Sequence, residues 1–133
     1  MEIPIQGLSM LPSIQPGDQL SVTLFDQPRA LSSLKSGEVV LVQDSGQWVV
    51  HRLVEYQQKK YCKGDWAYRA DDVQWVWGRV TAINSQWTFV LKSPWMAKLS
   101  ALDLRFQNPW FRRMRKSIFW LYYQMMEKVK GLT

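Results

Sequence analysis

Ser36-Gly37-Glu38-Val39-Val40-Leu41-Val42-Gln43-Asp44-Ser45-Gly46-Gln47-Trp48-Val49-Val50-His51-Arg52-Leu53-Val54 decides the fold. Ser36-Gly37-Glu38 is a turn that launches Val39–Val42, and Asp44-Ser45-Gly46-Gln47 is a hairpin connection into Trp48–Val54. Working outward, Gln19–Leu24 alternates polar and apolar residues behind the Pro16-Gly17-Asp18 turn, which marks a half-buried strand. Tyr61-Cys62-Lys63 is a short strand before Gly64-Asp65. Val76–Ile83 and Trp87–Leu91 form a further hairpin across Asn84-Ser85-Gln86. Many short strands at close spacing predict a mainly β protein, with a coiled antiparallel β-barrel-like domain over residues 1–92.

The remaining residues, 93–133, are expected to form an extension of that domain or a peripheral element. Asn108-Pro109 is a helix start, with Asn capping and Pro at the first helical position. Trp110, Met114, Ile118, Leu121, Tyr122, Met125 and Val129 then recur at helical spacing, the basic residues largely take the other face, and Gly131 closes the helix. A shorter helix is expected around Ala97–Leu102. The apolar stripe admits two readings: it lies in a membrane interface, or it packs on the β domain or a second subunit.

A chain of 133 residues is long enough for one core but not for two. Eight tryptophans require large aromatic surfaces to be covered in a core, a groove or an interface. The single cysteine, Cys62, excludes an internal disulfide and reads as a packed strand residue; no metal site or cofactor is expected. No stretch approaches the roughly 18 apolar residues of a membrane span, and Met1–Ile5 lacks the features of a secretory signal. The expected location is therefore cytoplasmic or peripheral to a membrane. Residues 108–133 hold six basic side chains and one acid, a net charge of +5, whereas the rest of the chain carries +1. Such a tail suits an anionic surface, and residues 109–130 are the expected point of peripheral membrane contact. No nucleic-acid motif accompanies the charge.

The chemistry rests on two segments. Gly7-Leu8-Ser9-Met10-Leu11-Pro12-Ser13-Ile14-Gln15-Pro16-Gly17-Asp18 places a serine before a turn, and Val49-Val50-His51-Arg52-Leu53-Val54 places the only histidine on a strand. A serine hydroxyl is a poor nucleophile unless a neighbouring base takes its proton, and an imidazole suits that task near neutral pH. The Gly-x-Ser-Met-x-Pro-x-Ile-x-x-Gly-Asp box resembles the nucleophile box of the signal peptidase I superfamily, which also contains the LexA-like self-cleaving repressors. Most bacterial members place a lysine where this chain has His51. The His-Arg form, followed by Lys63-Gly64-Asp65 and Asp71, resembles the endoplasmic-reticulum and archaeal type. The resemblance covers residues 5 to 82.

It implies a serine endopeptidase that cleaves an exported or modified precursor peptide after a small residue. Ser9 would be the nucleophile and His51 the general base. Asp71 is the preferred acid orienting the histidine, with Asp65 the other acid of the pattern and Asp72 a rival of Asp71. The Ser9 backbone N–H would hold the oxyanion; Gly7 stands where some relatives add a serine hydroxyl. The family continues Lys-Gly-Asp with Asn, but this chain has Trp66, which would close over the substrate groove. Gly17-Asp18 and Gly78-Arg79-Val80 also match family positions, with turn and strand geometry as their expected role. Two other readings stay open. One is a noncatalytic peptide-binding or scaffold module. The other is a LexA-like self-cleaving regulator, disfavoured by the eight residues before Ser9.

Overall fold

The computed structural model describes residues 2–4, 10, 14–15, 17–67, 69–84 and 94–131, and in the last stretch the side chains of 96–121, 124–125 and 128. Among the described residues there are six strands: β1 (Glu2–Pro4), β2 (Gln19–Ala30), β3 (Val39–Asp44), β4 (Gln47–Tyr56), β5 (Lys59–Lys63) and β6 (Trp75–Ile83). Two helices come after them, α1 (Pro94–Arg105) and α2 (Pro109–Gly131). The strands form one antiparallel sheet in the order β1-β2-β6-β3-β4-β5.

The fold is mainly β, as the strand pattern implies, but among the described residues the sheet stays open rather than closing into a barrel. Its two faces each carry an apolar cluster. Val39 and Leu41 of β3 join Met10, Ile14, Leu20, Val22, Val50, Val80 and Ile83 on one side. Val40 and Val42 join Leu31, Leu34, Leu53, Cys62 and Val76 on the other. Side chains alternate along a strand, so a sheet apolar on both faces needs cover on both.

Several boundaries differ from the sequence reading for physical reasons. β2 runs past Leu24 to Ala30 because its register against β6 shifts between Leu24 and Arg29. That irregular stretch contains Pro28, which has no N–H to give a ladder and is tolerated at such a break. β6 pairs with β2 and β3, while the expected strand at 87–91 lies outside the described residues. The two hairpin turns are tight: Ser45-Gly46 joins β3 to β4, and Gln57-Gln58 joins β4 to β5, with positive φ at all four residues. That is the handedness two-residue hairpins require.

The first helix is longer than expected, Pro94–Arg105 rather than Ala97–Leu102. At the second, the Asn108 carboxamide accepts from the Phe111 N–H at 2.8 Å, so the expected cap forms. Among the described side chains of α2, Phe111, Arg115 and Phe119, four residues apart, are buried, while Trp110, Met114, Leu121 and Met125 of the apolar stripe stay exposed and Ile118 is half-buried; Tyr122 and Val129 lie outside the described side chains. A basic residue thus occupies the inner face, because Asp103 of α1 awaits it there. Nor are the described tryptophans buried: Trp48, Trp66, Trp75, Trp77, Trp110 and Trp120 are all substantially exposed. No helix of the described residues is long and apolar enough to cross a membrane.

Candidate active site

His51 lies in β4, opposite Val40 of β3, on the face that carries Leu53 and Cys62. Its Nδ1 is in direct hydrogen-bonding contact with the Asp71 carboxylate, and both side chains are nearly enclosed, 8% and 12% exposed. Asp71 is carried by the loop between β5 and β6. The backbone holds that loop: the Asp71 N–H donates to the Cys62 carbonyl at 2.7 Å. Donation of Nδ1–H to Asp71 is the arrangement in which the Nε2 of a histidine serves as a general base.

Cys62 completes this cluster. It pairs with Leu53 in the β4–β5 ladder, and period-two alternation puts Leu53 on the same face as His51. The thiol is fully buried and hydrogen-bonds the Asp71 carboxylate. Burial, and secondarily the Asp71 charge, pushes its pKa well above the usual thiol value. Ligand atoms of His51, Cys62 and Asp71 lie within 4.8 Å of one another, a donor set of the kind zinc accepts. The direct contact of Nδ1 with Asp71 uses two of those atoms in a hydrogen bond. Cys62 was readable from sequence only as a packed strand residue; the register that brings it beside Asp71 depends on the two-residue Gln57-Gln58 turn.

Asp65 has a different place. It is fully buried and clasped by Arg52, whose Nε and a terminal nitrogen donate to its two carboxylate oxygens at 2.9 and 3.0 Å. Ser100 of α1 adds its hydroxyl at 3.4 Å. Arg52 follows His51 on β4, so alternation sends the two side chains to opposite faces. Asp71 goes with His51 and Asp65 with Arg52. The structure therefore separates the acids that the sequence motif presents as a pair. Asp72, the rival of Asp71, is exposed.

A second buried charge cluster continues from Asp65. Lys63 Nζ is 3.0 Å from Asp103 of α1 and donates to the carbonyls of Gly64 and Ala67 at 2.7 and 2.6 Å. Arg115 of α2 meets the other Asp103 oxygen at 2.5 Å and donates to the carbonyls of Asp65 and Ala67. Burial lowers the Lys63 pKa, and the Asp103 charge opposes that shift. These contacts fasten both helices to the Lys-Gly-Asp loop. Trp66 packs on Phe119 of α2 with ring centroids 5.9 Å apart, so it serves helix docking rather than closing a groove. Asp103 and Arg115 were missed from sequence, although the spacing of Arg115 between Phe111 and Phe119 was a signal.

Ser9 and Gly7 lie outside the described residues. Met10, the residue after Ser9, is buried beside Val50, which precedes His51 on β4 and faces the other side of the strand. The Met10 carbonyl accepts from the Ile14 N–H at 3.0 Å. Gly17 adopts φ +92°, a backbone state that favours glycine. Asp18 caps the turn by accepting from the Gln15 N–H at 2.9 Å and binds Asn84 at the end of β6. Gly78 is required for space, since a Cβ there would sit 2.8 Å from the Thr23 carbonyl oxygen. These glycines and Asp18 take the turn and strand roles expected of them.

Two depressions flank the sheet. A polar one of about 690 Å³ has Asp71, Asp72, Tyr61, Lys59 and Lys60 in its wall. An apolar one of about 420 Å³ is lined by Ile3, Leu24, Phe25, Leu41, Trp48 and Trp77, with the two indoles edge to face at 5.7 Å. Volume does not select between them; the polar one borders Asp71. Comparison with protein families, curated proteins and solved structures gives no match.

Proposed function

We propose that the chain is a serine endopeptidase resembling signal peptidases, acting on an exported or modified precursor peptide after a small residue. The observation that carries this reading is the His51–Asp71 contact, formed by the two residues that the family resemblance assigns as base and orienting acid. In the proposed reaction, Ser9 Oγ attacks the scissile carbonyl while His51 Nε2 takes its proton. The Ser9 N–H stabilises the oxyanion, and the imidazolium is held by Asp71. His51 then returns the proton to the leaving amine, and water hydrolyses the acyl-enzyme by the same steps. Asp65 contributes by holding Arg52 and the Lys-Gly-Asp loop rather than by touching the base.

The experiment is incubation of the wild type and Ser9→Ala with a library of precursor peptides, read by mass spectrometry. A cut that disappears in Ser9→Ala supports the assignment; a cut that persists excludes it. A second reading, a noncatalytic peptide-binding module of the same fold, is favoured by one feature, the apolar groove between Trp48 and Trp77. Peptides retained but uncut by the wild type would select it.

A further inference from the structure

α2 carries a buried face and, beside it, a separate exposed apolar stripe. The inner face, Phe111, Arg115 and Phe119, is buried and fixed by Asp103, the loop carbonyls and Trp66. At 3.6 residues per turn, Trp110, Met114, Leu121 and Met125 fall within an arc of about 60° beside it. All four face solvent, Trp110 and Leu121 most of all at 72% and 68% exposed. Holding the helix on α1 and the Lys-Gly-Asp loop does not use this stripe, which extends about 22 Å along the axis.

Its surroundings specify what covers it. Arg113 is exposed on the side of the helix away from the buried face, about 90° round from the centre of the stripe, and Lys128 is exposed in line with the stripe beyond Met125. Glu127 is the one acid of residues 108–133. A second copy laid on the stripe would bring the same basic edge against this one, a like-charge contact that opposes association. A nucleic acid would satisfy the charges and leave Leu121 and Met125 against phosphate. An anionic lipid surface satisfies both, taking the apolar stripe at the acyl boundary and the basic side chains among the headgroups. The stripe is too short for a span of about 30 Å, so the helix lies in the plane of the interface.

We propose that the outward stripe of α2 docks this protein on an anionic membrane surface while the inward face keeps the helix on α1 and the loop after β5. Attachment and packing are properties of one helix with two faces. The proposal does not depend on Ser9 or His51.

The test is flotation of the full chain with vesicles of phosphatidylcholine alone and of phosphatidylcholine with phosphatidylglycerol. The expected result is binding to the anionic vesicles that weakens as salt is raised. Leu121→Asp with Met125→Asp should abolish it. Arg113→Glu with Lys128→Glu should lower partitioning at least about tenfold, since each near-surface cation contributes a severalfold effect. All four positions are exposed, so circular dichroism should be unchanged; Leu121→Ser serves if the double aspartate variant does not fold. Failure of the intact protein to float with anionic vesicles overturns the proposal. So does undiminished binding by the stripe variants, or a lipid-free dimer that those variants dissociate.

Discussion

Asp65 and Asp71 offer a direct trial of the site, because the structure assigns them different work. Asp71→Asn changes a side chain that touches His51 and is 12% exposed. The asparagine keeps the size and loses the charge that holds the Nδ1–H tautomer and steadies the imidazolium. In a triad that loss lowers kcat by about 10⁴, while the stability change should stay near that of one hydrogen bond, about 1 kcal/mol. Asp65→Asn does the reverse. It breaks a two-point pair between side chains that are both fully buried and leaves the Arg52 charge without its counter-ion. Breaking such a pair costs about 3–5 kcal/mol, a large share of the roughly 5–15 kcal/mol that stabilises a domain. With an m-value of about 2 kcal/mol/M, the urea midpoint should fall by about 2 M. Urea unfolding and peptide cleavage measured on both variants separate the effects. An Asp65→Asn protein with wild-type midpoint and no cleavage would refute the assignment, as would an Asp71→Asn protein that cleaves normally.

His51→Lys should be inactive near neutral pH, because Asp71 would hold the ammonium protonated; activity comparable to wild type, measured across a pH series, would contradict the contact. Asp103→Asn should cost about 3–5 kcal/mol in chemical denaturation, since it removes the anion facing both Lys63 and Arg115. Lys63, whose pKa is lowered from 10.5, binds fewer protons folded than unfolded between its lowered value and 10.5. Its contribution to stability therefore rises with pH across that window, and Lys63→Met should flatten this rise. Cys62, buried with a raised pKa, should react with iodoacetamide far more slowly in the native protein than in urea; equal rates would place the thiol in solvent.

The turn and cap chemistry was legible in the sequence because it is local. Gly17 needs its positive φ within a few residues of the strand it starts, and Asn108 caps the helix that follows it through an N–H three residues on. The order β2-β6-β3 was not legible, since it brings together strands some forty residues apart with no short turn to specify the pairing. The roles of the two acids were half legible. Lys63-Gly64-Asp65 and Asp71 sit close together in the chain, and proximity invites treating them as partners of one histidine. Alternation along β4 is the stronger constraint: His51 and Arg52 must diverge, so two acids that accompany them to opposite faces cannot share one base. Arg115 was misplaced for a related reason. A basic residue on an amphipathic helix is expected in water, yet here the helix meets Asp103, already buried by α1, and a paired ion replaces an apolar side chain on the packed face. Trp110, Met114, Leu121 and Met125, set beside that paired face, point outward and stay available for another surface.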